Sequence, residues 1–243
     1  MRVTNQMMST TYLKDLNKNL NNLNTLNKQL TTGKEISKPS DNPFKTARIM
    51  QMYSDISANK QYNENIKDTI NWLDTTDVAL EQIGNSAQRI RELMVSAGNA
   101  SYGSDEKNAL KEEINEKINE IAQVLNTNYD GKYIFGGTKS LSKPVGVEKD
   151  SNGNNILVFK DDNGNSFNEE GKAYIKNADG TITRDANGNL AVEPNPKPEY
   201  EKLLNQMNAN LSVEVSNGVN MNYNVGTPSI LTLKNGNNVM KLL

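Results

Sequence analysis

The chain contains no cysteine and no histidine in 243 residues. It therefore lacks the thiolate nucleophile, the imidazole base and the usual ligands of zinc and the late transition metals. Those absences remove the commonest catalytic constellations, and no other polar cluster with enzyme-like spacing stands out, so no catalytic residue, cofactor or metal is expected. A disulfide is impossible, which suits an exported protein that never needs one and equally a cytosolic protein without thiols. Long hydrophobic runs are missing too. No stretch approaches the roughly 20 apolar residues of a membrane span, and the opening MRVTNQMMSTTYLKDLNKNL holds no apolar run of signal-peptide length. No membrane insertion is expected, and export, if it occurs, uses no cleavable signal peptide. Charge of one sign is also lacking: 27 basic against 29 acidic residues leave a net charge of -2. No basic cluster is long enough to neutralise a row of phosphates, so nucleic acid is not an expected partner. Aromatics make up 6% of the chain and hydrophobic residues 35%. With a mean hydropathy of -0.72, this is polar for a compact globule but ordinary for long helices that expose much of their surface.

What is present is helical periodicity. Leu13, Leu16, Leu20 and Leu23 recur at alternating steps of three and four, and Leu26 and Leu30 continue the stripe, the pattern of a coiled-coil seam. Asn27 stands where the strict repeat asks for an apolar residue; it is either a buried residue that fixes register and partner number or an exposed edge. Thr31, Thr32 and Gly33 stop this helix, glycine entering a left-handed turn without steric cost. The ISKPSDNP stretch at 36–43 reads as a turn, with Asn42 as N-cap and Pro43 at the first helical position, where no amide bond is lost.

A second helix then runs from Pro43 to Ala97, ~80 Å at ~1.5 Å per residue, a length that calls for bundling. Its expected seam is Ile49, Tyr53, Ile56, Ile66, Ile70 and Leu73, then Leu80, Ile83, Ala87, Ile90, Met94 and Ala97, with Gly98 and Asn99 as the stop. A third helix opens at Ser104 as N-cap, with Asp105 and Glu106 in its first turn. It carries Leu110, Ile114, Ile118, Ile121 and Leu125 and folds back on the second. Trp72, beside the seam, reads as a packing residue rather than a stacking platform for bases.

After Asp130-Gly131 the period changes. Residues 132–138, KYIFGGT, read as a short strand with a glycine turn. Up to about residue 200 the chain is rich in Asn, Gly and Asp, with pentads starting at Asp150, Asp161 and Asp185. A calcium loop would need glycine sixth and glutamate twelfth; counted from Asp161, glycine stands fourth and Lys172 twelfth, so these are read as hairpin tips centred on Asn-Gly pairs. An insertion of this kind, about 146–198, is expected to be removable without harm to the helices. Pro194, Pro196 and Pro198 read as a stiff connector. Leu211, Val213 and Val215 then alternate toward Asn217-Gly218 and a second strand with Met221, Tyr223 and Val225. Val239, Met240, Leu242 and Leu243 read as the start of a further amphipathic helix.

The helix-turn-helix of residues 1–98, centred on Leu30-Thr31-Thr32-Gly33-Lys34, resembles the N-terminal region of bacterial flagellins. Pro39-Ser40-Asp41-Asn42-Pro43 and Lys132-Tyr133-Ile134-Phe135-Gly136-Gly137-Thr138 resemble signatures of the hook-associated protein 3, or hook-filament junction, branch of that family. The likeness covers about residues 1–140 and, more loosely, the 211–226 hairpin. It implies a mainly α fold: a long antiparallel, coiled-coil-like helical rod with an inserted β-rich outer domain and a β-hairpin. The implied divisions are an axial helix (1–33), a rod core (34–140), a variable outer domain (141–200) and a return hairpin with the start of a C-terminal helix (201–243), the full helix of the family being absent here. The resemblance further implies a non-enzymatic subunit that flagellar export delivers to the cell exterior. It would assemble with like subunits and with hook and filament proteins, with an export chaperone as a further partner. The helix seams at Leu13, Leu16, Leu20, Leu23, Leu30, Ile66, Ile70, Leu73, Leu80, Ile83, Ile90 and Met94 are the expected subunit-packing residues. Filament flagellin, and an unrelated coiled-coil binding protein, remain the alternatives.

Overall fold

The computed structural model describes residues 5–36, 38–98 and 103–231. It is mainly α, with long helices and a few small antiparallel sheets. The chain divides into two compact units, Met1–Gln61 and Tyr62–Leu243.

In the first unit, helix α1 spans Asn5–Thr32. It ends as its sequence dictates: Gly33 takes φ +64 and its N–H donates to the Gln29 carbonyl at 2.8 Å. The turn that follows is held by polar caps. The Asn42 side chain accepts the Lys45 N–H at 3.1 Å, an N-cap bond, and Pro43 opens helix α2, Pro43–Ala97. The N-cap and proline are where the sequence puts them.

In the second unit α2 meets helix α3, Ser104–Leu125, in antiparallel fashion. Ser86 donates to Glu120 at 2.9 Å and the Arg89 guanidinium donates twice to Glu113, at 2.9 and 2.7 Å; the contacts ascend one helix and descend the other. Gly103, in extended geometry, is the N-cap of α3, one residue before the expected cap Ser104, which is already inside the helix. Asp105 and Glu106 do lie in the first turn.

The face of α2 that packs within the chain departs from the predicted stripe in its first half and shares Ile83 and Ile90 with it further on. Its buried positions are Thr69, Trp72, Thr76, Ala79, Ser86, Ile90 and Leu93, which with partly buried Ile83 keep strict three-four alternation. Ile66, Ile70, Leu73 and Met94 sit to one side and are exposed. The polar members tolerate burial because each hydroxyl is satisfied: Thr69 and Thr76 bond the Asn65 and Trp72 carbonyls at 2.7 and 2.8 Å, the i−4 back-bond open to threonine in a helix. On α3 the expected apolar face holds, with Ile118, Ile121 and Leu125 buried and Ile114 packed against them.

The β-rich portion begins with a two-residue hairpin, β1 (Asn128–Tyr129) and β2 (Lys132–Tyr133). The expected strand over KYIFGGT stops at Tyr133 and becomes a 3-10 turn at Ile134–Gly136. Strands β3 (Val145–Lys149), β4 (Asn155–Lys160) and β5 (Ser166–Phe167) form an antiparallel sheet. Val145, Leu157, Phe159 and Phe167 share one core with Ile118, Ile121 and Leu125, so this sheet is no detachable lobe, contrary to the expected removable insertion. Asn115 fixes the junction: its side-chain oxygen accepts the Asn155 N–H at 2.9 Å, and the Asn155 amide donates back to the Asn115 carbonyl at 3.0 Å.

The three-proline connector is a correction. Pro198 is the first residue of a helix, α4, Pro198–Met207, with Glu199 and Glu201 in its first turn and Tyr200 and Met207 buried. Strands β6 (Ser212–Ser216) and β7 (Val219–Asn222) then pair as expected, with Val213 opposite Met221. A five-residue helix α5, Thr227–Leu231, follows. The amphipathic segment at Val239, Met240, Leu242 and Leu243 and the stop at Asn99 lie outside the described residues.

Candidate assembly surfaces

Helix α1 buries no residue. Leu13, Leu16, Leu20, Leu23 and Leu26 are exposed and Leu30 is 85% exposed, so the predicted seam is formed as a face but is not buried among the described residues. Of the α2 seam residues, Ile90 is buried, Leu80 and Ile83 are partly buried against the core, and Ile66, Ile70, Leu73 and Met94 face outward. The twelve expected packing residues thus split into an internal set and two unpacked faces.

Trp72 is the internal pivot. Its ring makes edge contacts with Tyr129 at 5.9 Å and Tyr223 at 5.6 Å, joining α2 to the β1–β2 turn and to the end of the β6–β7 hairpin. That geometry suits the aromatic quadrupole and bears out its reading as a packing residue. The hairpin is tied further along α2: the Asn65 amide donates to the Glu214 carbonyl at 3.0 Å and the Tyr62 hydroxyl to the Glu214 carboxylate at 3.3 Å. Desolvation and that carboxylate both push the Tyr62 phenol above its ordinary value.

The KYIFGGT segment acquires a physical meaning. Gly137 has φ +58 and ψ −129, and a Cβ there would lie 2.4 Å from the Gln206 carbonyl oxygen and 2.5 Å from that of Met207. A Cβ on Gly226 would come within 2.2 Å of the same Met207 oxygen. Both glycines let backbone press against the C-terminal end of α4. Thr138 N–H donates there, to Gln206 at 2.9 Å, and the buried Thr227 hydroxyl donates to the Phe135 carbonyl at 2.8 Å. The motif is a clamp that closes the 126–231 segment on itself.

The Asp pentads are hairpin tips, of a different type from that expected. In each, Gly153, Gly164 or Gly188 has positive φ while the preceding Asn does not. The glycine N–H bonds the Asp carbonyl and the Asp N–H bonds the fifth residue's carbonyl. This is a type I turn closed by a left-handed glycine, not the paired positive-φ turn of a two-residue loop. Each Asp side chain accepts two amides of its own loop, as Asp161 does from Asn163 at 2.9 Å and Asn165 at 2.7 Å. The backbone bonds recur at Asn168–Lys172 and Asn177–Thr181, two tips that the sequence reading missed although Gly171 and Gly180 mark them. Between these tips, Tyr174, Ile182 and Leu190 arrive eight residues apart and pack with Ile156 and Val158. Their neighbours Ile175, Thr183 and Ala191 close a ring of backbone bonds at 2.9, 2.8 and 3.0 Å.

Buried charges in the sheet are paired. Burial raises the Asp150 carboxyl, but the Asn154 amide, the Arg184 guanidinium at 2.7 Å and the Asn152 amide outweigh it and hold it below its ordinary value. Glu148 behaves likewise, with burial opposed by Lys176, Ser166 and Lys160. Among the described residues no cluster of three acidic groups is placed to hold a metal ion, and no helix is long and apolar enough to cross a membrane.

Long helices with outward apolar faces on α1 and α2, and a β-rich portion that shares a core with α3 and α4, define a mainly α protein with small antiparallel sheets. Residues 3–140 match the family model of the bacterial flagellin N-terminal helical region, and the chain belongs to that family. It is 29% identical over 145 residues to a flagellin of Salmonella paratyphi A, an alignment covering 59% of this chain and 29% of the relative. Phase 1 flagellin of Salmonella naestved is 29% identical over 134 residues, 55% of this chain and 26% of its own. The chain thus spans less than a third of the length of these relatives. In fold, it is similar to a flagellar hook-associated protein of Vibrio parahaemolyticus, with a TM-score of 0.54 and 18% identity over 84% of this chain and 69% of the other.

Proposed function

We propose that this chain is a non-catalytic structural subunit of the bacterial flagellum that joins hook to filament by self-assembly after flagellar export. The observation that carries the reading is the pair of outward apolar faces, Leu13–Leu30 on α1 and Ile66, Ile70 and Leu73 on α2, on a chain of the flagellin family. Each leucine moved out of water contributes about 1.5–3 kcal/mol, so faces of this kind are surfaces for packing against like subunits and against hook and filament proteins. An export chaperone would find the same α1 face before assembly. The hook-associated protein of similar fold favours the junction over the filament body, whereas the Salmonella relatives favour filament flagellin, the second reading. Deleting the coding sequence separates them. Hooks without filaments, with filament protein shed into the medium, are the expected result; loss of the bulk filament protein itself would establish the flagellin reading. Release that persists in an export-apparatus mutant would refute the route.

A further inference from the structure

We propose that Asn217, at the tip of the β6–β7 hairpin, is a site of self-modification: it deamidates by ring closure onto the Gly218 nitrogen, and the product loosens the hairpin from α2. Asparagine is a chemically labile residue, and a following glycine, with no Cβ, leaves its own nitrogen open to the asparagine side chain. In the reaction the Gly218 N–H gives its proton to a solvent base and the nitrogen bonds the Asn217 Cγ. The Cγ–Nδ2 bond breaks and ammonia leaves. Water then opens the succinimide at one of its two carbonyls, giving aspartate or isoaspartate without any oxidant or reductant.

Four Asn-Gly pairs lie among the described residues, at 152–153, 163–164, 187–188 and 217–218, and the pair at 235–236 lies outside them. The hold on the attacking nitrogen separates the four. In the three Asp pentads the glycine N–H bonds a backbone carbonyl, at 3.1 Å to Asp150, 3.2 Å to Asp161 and 3.0 Å to Asp185. Each Asp side chain also accepts the asparagine's own N–H at 2.9 Å and that of the fifth residue. Ring closure must turn the backbone between the asparagine and the glycine, which breaks this set together. Two of these tips are held from outside as well: the Lys111 ammonium donates to the Asn152 carbonyl at 2.8 Å, and the Arg184 guanidinium donates to the Gly188 carbonyl. At the hairpin tip the Gly218 N–H instead bonds a side chain, the Glu214 carboxylate at 3.0 Å. Glu214, Asn217 and Gly218 are all exposed, so a rotamer change of Glu214 frees the nitrogen. The same carboxylate oxygen accepts the Tyr62 hydroxyl at 3.3 Å. Either product places a new negative charge in the loop that Glu214 closes, and isoaspartate adds a backbone carbon to a loop of two residues between Ser216 and Val219. Both changes work against the Glu214 bonds that close the tip and reach α2.

The test holds the purified full-length chain warm at neutral pH and reads each pair by peptide fragmentation in a mass spectrometer. Asn217 is expected to convert about tenfold faster than Asn163 in the folded chain, because the pentad must open several bonds at once. In urea the two rates should come within about twofold of each other. A folded chain in which Asn163 keeps pace with Asn217 would overturn the proposal. So would a lead for Asn217 that survives unfolding, since local sequence and not the turn would then set the rate. The fraction converted at 217, separated by its added negative charge, should exchange the amides of Ser212–Ser216 and Val219–Asn222 about fivefold faster than the unconverted fraction of the same sample; equal exchange would overturn the loosening. The chemistry needs neither export nor assembly, so its failure and that of the subunit reading are distinguishable.

Discussion

Gly137→Ala should destabilise the Tyr62–Leu243 unit more than the same substitution at a positive-φ glycine with open surroundings. Its φ of +58 with ψ −129 is a region that costs a side-chain-bearing residue about 1–3 kcal/mol. The added Cβ would also stand 2.4 and 2.5 Å from two carbonyl oxygens at the end of α4, backbone atoms that move only if the helix end withdraws. Withdrawal breaks the two bonds that Thr138 makes to the Gln206 carbonyl, at 2.9 and 3.0 Å, each worth about 0.5–1.5 kcal/mol net. The sum is roughly 2–6 kcal/mol, or a fall in Tm of about 4–24 °C for a unit of this size. Gly180→Ala is the internal control: φ is +85 but nothing lies within 4 Å of its Cβ, so only the left-handed cost of about 1–2 kcal/mol applies. Urea unfolding followed by circular dichroism measures both. If the two variants fall within about 1 kcal/mol of each other, the close approach of Gly137 to α4 is not what fixes that residue as glycine.

Asn115→Ala removes the acceptor of the buried Asn155 N–H and should cost about 1–3 kcal/mol, read by the same unfolding curves; a change below experimental scatter would mean that water replaces it. The depressed Asp150 and Glu148 carboxyls give acid sensitivity of defined sign. Their contribution is complete above the ordinary carboxylate range near pH ~4 and is lost as pH falls through their lower folded values, so Asp150→Asn should flatten the stability profile below pH ~4, and an unchanged slope would refute the pairing with Arg184. In calorimetry the chain should show no saturable heat at micromolar calcium, since Asp161 already accepts two loop amides; heat abolished by Asp161→Ala would overturn the turn assignment.

The helices were legible because caps and periods agree: Asn42-Pro43, Gly33 and the α3 apolar face carry their own signals. The packing face of α2 was not, because three of its buried members are Thr69, Thr76 and Ser86, whose hydroxyls find partners that no periodicity count can register. The expected stripe at Ile66, Ile70 and Leu73 lies one residue round the helix from the positions that the chain's own fold buries there. Helix α4 was hidden by its prolines, although Pro198 at the first position, acids behind it, and Tyr200, Leu203, Leu204 and Met207 at helical spacing are a helix signal. The turn type at the pentads depended on whether Asn or only Gly takes positive φ, a choice made by the Asp side chain that grips the loop amides.

The one-residue offset on α2 is itself informative. Two stripes run side by side from Ile66 to Leu73: Thr69 and Trp72 turn inward to Tyr129 and Tyr223, while Ile66, Ile70 and Leu73, more apolar than the buried pair's neighbours, remain outside. A helix selected only for its own fold would place its isoleucines and leucine on the inner face, where each contributes about 1.5–3 kcal/mol. Here the inner face carries threonines that satisfy themselves along the helix, and the stronger apolar residues stay on the outer face. The same division separates α1, with no buried residue, from α3, whose Ile118, Ile121 and Leu125 are buried. Substituting Ile70→Ser should therefore leave the monomer's unfolding midpoint within about 0.5 kcal/mol of wild type, as for an exposed position, while lowering the yield of assembled subunits. A large loss of monomer stability would show that the outer stripe supports the fold, and the assignment of this face to assembly would fall.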